Sequence, residues 1–248
     1  MAHALRPSTL EAVEREAFGI AYRLRRAARR TISLKITRKG LEVSAPRWTS
    51  EAEIERLILA RRQWILDTSA AAEARFREFV DLRPNGHIVW NGRRLPIEVS
   101  GGGYDAVSFG NTLCEVTSRS GEVPIATLEA EMLRIARALL PARARALAAR
   151  GGITIREVTV GTAQTLWGTC SFDGRLRLNR RLMMLPPELA EHVIAHELAH
   201  RIEFNHSKRF WAALARLDPR WRQHHEEVKR YNVLLEPFQG RAGATLLR

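Results

Sequence analysis

The chain has 248 residues, 45% of them hydrophobic, so it can bury a real core and fold on its own as one large domain or two small ones. Forty Lys and Arg against 27 Asp and Glu give a formal charge of +13, which favours acidic partners, although Arg-rich stretches such as Arg23 to Arg30 and Arg143 to Arg150 also read as solvated faces. Two cysteines, Cys114 and Cys170, exclude a disulfide framework and a C-x-x-C site. The charged N-terminal residues exclude a secretory signal, and no stretch approaches the roughly 20 apolar residues of a membrane span, so a cytoplasmic protein is expected.

Residues 1 to 28 alternate charged and small apolar side chains and are expected to be a basic arm or helix. From Thr31, Ile32, Leu34 and Ile36, then Leu41 and Val43, alternate at period two around Lys39-Gly40, which predicts a β-hairpin. Thr49-Ser50-Glu51 predicts a helix start, with Ile54, Leu57, Ile58, Trp64 and Ile65 following at helical spacing. Short strands are expected at 87–90, 95–99, 106–109 and 112–117, separated by Asn91-Gly92, a type I′ turn signal, and by two other Gly-containing turns. A long amphipathic helix begins near Thr127 and runs to Arg150 before Gly151-Gly152, with Pro141 placed to kink or split it. Strands at 153–160 and 176–179 and helices at 187–202, 208–217 and 221–235 complete the chain.

The chemistry is concentrated in His196-Glu197-Leu198-Ala199-His200, an H-E-x-x-H pattern on the helix that opens after Pro186-Pro187. Residues four apart stand on one helix face, so both imidazoles can bind one Zn2+ while Glu197 takes a proton from water beside them. A catalytic site needs a third ligand and an open position, and His206, six residues past His200 at a helix break, is the candidate. The spacing equals that of the metzincins, but Glu203 stands where they have Gly and no Met-turn follows.

With the segment before the helix included, Leu166-Trp167-Gly168-Thr169-Cys170-Ser171, Leu178-Asn179, Leu185-Pro186-Pro187-Glu188-Leu189, the HELAH run and Asn205-His206-Ser207-Lys208-Arg209-Phe210-Trp211 together resemble the YgjP-like metal-dependent hydrolase family, relatives of the SprT-like and WLM metallopeptidases. These motifs span about residues 164 to 214; the chain departs from the family at Leu166, where Arg is usual. The resemblance implies zinc held by His196, His200 and His206 with Glu197 as general base. It also implies an α+β fold in which a β-rich N-terminal part with a helix precedes a zincin-like helical core with a small sheet. The expected division is an arm over 1–28, a β-rich subdomain over 29–126, a metallohydrolase subdomain over 127–238 and a tail over 239–248, with 29–238 as one YgjP-like domain.

The reaction expected first is peptide hydrolysis with a protein or peptide substrate. The same metal and base acting on phosphorus, as a UTP pyrophosphatase, is the alternative that family labels leave open, and a nucleic-acid-associated protease or basic binding module is the second. Four further side chains have plainer readings: His192 as a partly exposed helix residue, Cys170 as a small buried one, and His224 and His225 as a solvated face. Tyr231 is a candidate donor to a developing oxyanion.

Overall fold

The computed structural model describes residues 12–37, 40–235 and 238. Its contacts divide the chain into two units, one reaching Arg75 and the other Phe76–Phe238, and the architecture is α+β. The expected break at 126/127 is not where the division falls, because the strands between 80 and 118 share one core with the helices that follow them. The tail over 239–248 lies outside the described residues.

In the first unit, the stretch expected as an arm or helix contributes strands β1 (Val13–Ala17) and β2 (Ile20–Ala27), joined through Phe18 and Gly19 at φ 53° and 75°. Ile20, Tyr22 and Leu24 are buried while the residues between them face outward, so the arginines alternate with core positions at period two. Residues 1–11 of the expected arm lie outside the described residues. The expected hairpin is present as β3 (Ser33–Thr37) antiparallel to β4 (Gly40–Pro46), and β4 also pairs parallel with β2, giving the order β1-β2-β4-β3. The expected single helix is two. Helix α1 (Glu51–Ala60) is capped by Ser50 Oγ, which accepts from the Glu53 amide at 3.2 Å, and the chain breaks at Arg61 before α2 (Arg62–Arg77). Ile54, Ile58 and Ile65 join Leu41 and Val43 in the unit's core.

The second unit opens with five strands, β5 (Val80–Asp81), β6 (His87–Trp90), β7 (Arg93–Gly101), β8 (Ala106–Phe109) and β9 (Cys114–Ser118), in the order β5-β6-β7-β9-β8. The β6–β7 turn has Asn91 and Gly92 at φ 47° and 74°, as a type I′ turn requires. A Cβ on Gly92 would meet Pro186 Cγ at 2.8 Å, so the turn seats against the lead-in to the helix that carries the H-E-x-x-H pattern. Helix α3 (Ile125–Arg150) runs unbroken through Pro141 and ends at Gly151. A second sheet follows, β10 (Glu157–Gly161), β11 (Gly168–Cys170) and β12 (Arg175–Asn179), ordered β10-β12-β11, so that β11, within a stretch expected to be loop, forms one edge.

The 3-10 turn Arg180–Met184 leads into helix α4 (Pro187–Ala199), followed by α5 (Lys208–Leu217) and α6 (Trp221–Tyr231). Arg180 and Arg181, both buried, pair with Glu129 of α3 at 2.6 and 3.2 Å and hold that lead-in against the core. Nine of the 13 residues of α4 are buried, among them Leu189, Val193, Ile194 and Leu198, so this helix is enclosed on nearly every side. No helix among the described residues is long and apolar enough to cross a membrane.

Candidate metal centre

Helix α4 begins at Pro187, where a proline needs no amide partner, and its last turn carries His196, Glu197 and, at the C-cap, His200. The chain then turns and returns at His206, immediately before Ser207, the N-cap of α5. The three imidazoles converge: ring centroids are 5.1 Å apart for His196 and His200, 5.1 Å for His196 and His206, and 4.9 Å for His200 and His206. One nitrogen from each lies within 4.8 Å of the others, and the Nε2 atoms of His196 and His206 are 3.1 Å apart. Zn–N bonds in tetrahedral geometry separate two ligand nitrogens by about 3.3 Å, so this triad has the spacing that a small divalent ion needs.

The donor chemistry fits as well. Burial, reinforced by His200 and His206, drives the His196 pKa down to about 3, which leaves a neutral ring with a free lone pair. His200 Nδ1 lies 3.3 Å from the Glu203 carbonyl oxygen; an N–H there donates to the carbonyl and leaves Nε2 as the ligand atom. Phe210, fully buried on α5, packs against all three rings at 4.9, 4.7 and 4.5 Å and holds them in place from below. Phe210, Ala213 and Leu214 form the buried face of α5 and so fix the helix that follows His206.

Glu197 is buried, and burial lifts its carboxyl to about 7. Strand β11 runs against it: a Cβ on Gly168 would fall 2.7 Å from Glu197 Cγ. Glycine is therefore required by close approach of a strand to the glutamate, a constraint no local pattern discloses. Gly168→Ala is expected to displace the carboxylate and lower turnover by about 100-fold, with metal content unchanged by elemental analysis; equal turnover would show that the helix yields instead. Cys170, two residues on, is held as a thiol near 11 by burial and by the Glu197 charge, which disfavours it as a ligand.

A second histidine group lies one turn back on α4. Asp218 Oδ2 is 2.7 Å from His192 Nδ1 and 2.8 Å from His224 Nδ1, and Oδ1 accepts from the Arg220 amide at 3.1 Å. All three side chains are buried. These are hydrogen-bond distances, shorter than the separation of atoms sharing a metal, and they clamp α4, the end of α5 and α6 together. His192 and His224, expected to be exposed, are thus buried instead, because one carboxylate satisfies both rings. The signal was there in part: Trp221, His224 and Val228 recur on one face of α6. His225 turns toward the triad rather than forming a plain solvated face, with its ring 6.3 Å from that of His196. Tyr231, the candidate oxyanion donor, packs its ring 5.0 Å from Phe79 in the core instead.

Residues 30–231 match the family described as YgjP-like, metallopeptidase domain. Among solved structures, the chain is similar to the crystal structure of the metallopeptidase zymogen of Pyrococcus abyssi abylysin, at 19% identity and a TM-score of 0.36, over 41% of this chain and 100% of that one. No curated protein matches.

Proposed function

This chain belongs to the YgjP-like metallopeptidase family and is a metal-dependent hydrolase; we propose that it cleaves peptide bonds, with zinc held by His196, His200 and His206 and with Glu197 as general base. The observation that carries the reading is the convergence of three imidazoles beside one buried carboxylate. When bound, zinc supplies the positive charge that polarises a carbonyl and acidifies water. Glu197 then takes the proton of the attacking water on a carboxylate oxygen and passes it to the leaving amine nitrogen, so that one residue serves as base and then as acid. Gly168 and its strand lie directly against that side chain and limit where its carboxylate can go.

The surroundings favour a polypeptide over a nucleotide. Phe204 lies 6.3 Å from His200 and 5.6 Å from Phe172, and both phenylalanines are exposed, Phe172 at 82%. An exposed aromatic pair beside the triad suits apolar side chains of an unfolded chain. The test follows two products in one buffer: new amino termini from labelled casein and pyrophosphate from UTP. Amino termini should be released, the release should cease when a chelator strips the metal, and stoichiometric zinc should restore it. Metal-dependent pyrophosphate release without proteolysis would overturn the reading in favour of nucleotide cleavage.

A further inference from the structure

Addition of water to an amide carbonyl leaves negative charge on its oxygen, and a positioned N–H or O–H facing that oxygen stabilises the transition state by about 2.7–4 kcal/mol. Tyr231 packs its ring on Phe79, and another ring able to supply such a donor stands closer to the triad. The ring of His225 lies nearly parallel to that of His196, at 19° and 6.3 Å between centroids, and meets Trp211 edge-on at 5.7 Å. Rings within the triad stand 4.9 to 5.1 Å apart, and His225 is not among the three whose nitrogens gather within 4.8 Å. It therefore stands one layer outside the triad.

Its direction is built in. Successive helical side chains diverge by about 100°, so the residue before it sets where His225 points. That residue, His224, is buried and bonded to Asp218, which also holds His192 of α4. Trp211 backs the ring on another side and is itself stacked on Trp221 at 4.5 Å. Five aromatic and acidic side chains thus constrain a histidine that neither the triad nor the core requires.

We propose that His225 is a further catalytic residue, whose imidazole N–H donates a hydrogen bond to the substrate carbonyl oxygen as that oxygen gains negative charge. No proton is transferred, and the ring leaves the step unchanged. The inference rests on the peptidase reading of the same centre.

The test compares zinc-loaded wild type, His225→Ala, His225→Gln and Glu197→Gln. Zinc per chain, kcat and KM on labelled casein, and affinity for a phosphinic pseudotripeptide that mimics the tetrahedral adduct are measured for each. His225→Ala should keep its zinc and its KM, lose about 100- to 1000-fold in kcat, and bind the phosphinate more weakly by a similar factor. His225→Gln, which retains an N–H donor, should recover part of both. Loss of zinc in His225→Ala would overturn the proposal by making His225 a ligand, and unchanged kcat with unchanged phosphinate affinity would overturn it outright. If Glu197→Gln also stayed active, the peptidase mechanism itself would have failed; if Glu197→Gln were inactive and His225→Ala active, only this inference would fall.

Discussion

Glu197→Gln is expected to lower peptide hydrolysis by about 10²–10⁴-fold while leaving metal content and fold unchanged. Glutamine keeps the size of the side chain that fits against Gly168, so the helix and strand retain their spacing. What is lost is an oxygen able to take a proton from water and return it to an amine. A decrease of less than tenfold, with metal content confirmed, would mean that another group or bulk water acts as the base.

The same substitution should have the opposite effect on stability when the metal is absent. Burial raises the Glu197 carboxyl from 4.5 to about 7, so between these values the folded chain holds a proton that the unfolded chain has released. The stabilisation is fully present below about 4.5 and is lost as the pH rises through about 7, because the carboxylate then ionises in a dry site. Glutamine cannot ionise. Metal-stripped Glu197→Gln should match the wild type at pH 4 and exceed it at pH 8 by at most about 3 kcal/mol, readable as a higher Tm. Equal melting at pH 8 would mean that water reaches the carboxylate in the metal-free protein. The unfavourable term at neutral pH is one that a bound cation would offset.

How much of this was legible in the sequence depends on how far the partners lie apart. His196 and His200 could be read directly, because four residues make about one helical turn, and His206 because its motif and the break before it point to one place. The alternation of the 87–118 strands and the Asn91-Gly92 turn are likewise local, and the structure has them where the pattern puts them. The contact of Gly168 with Glu197 joins a strand to a helix 29 residues later and leaves no trace in either segment. His192 and His224 look like polar surface residues until Asp218 is seen between them, since only a buried carboxylate makes burying two imidazoles tolerable. The arginines of 20–27 misled in a different way: their density reads as a helical arm, whereas the alternation of Ile20, Tyr22 and Leu24 between them is the period of a strand.

His206→Ala should weaken zinc binding by about 100- to 1000-fold and abolish turnover at zinc concentrations that saturate the wild type. Roughly 10–16 kcal/mol of zinc binding shared among four ligands assigns about 3 kcal/mol to each, which sets that range. This histidine is the informative one to remove. His196 is half-buried within α4 and packed on Phe210, so its loss would disturb the packing of that helix and confuse affinity with folding, whereas His206 is exposed on the segment between α4 and α5. The metal-free variant should therefore melt within a few degrees of the metal-free wild type, since exposed substitutions usually shift stability by no more than about 0.5 kcal/mol. Competition with a chromophoric chelator reads the affinity directly. Wild-type affinity in His206→Ala would remove His206 from the ligand set, and the nearest ring able to replace it would be His225, which would then bind the metal rather than the substrate oxygen. The two histidines thus predict opposite patterns: removing His206 costs metal and activity together, and removing His225 costs activity alone.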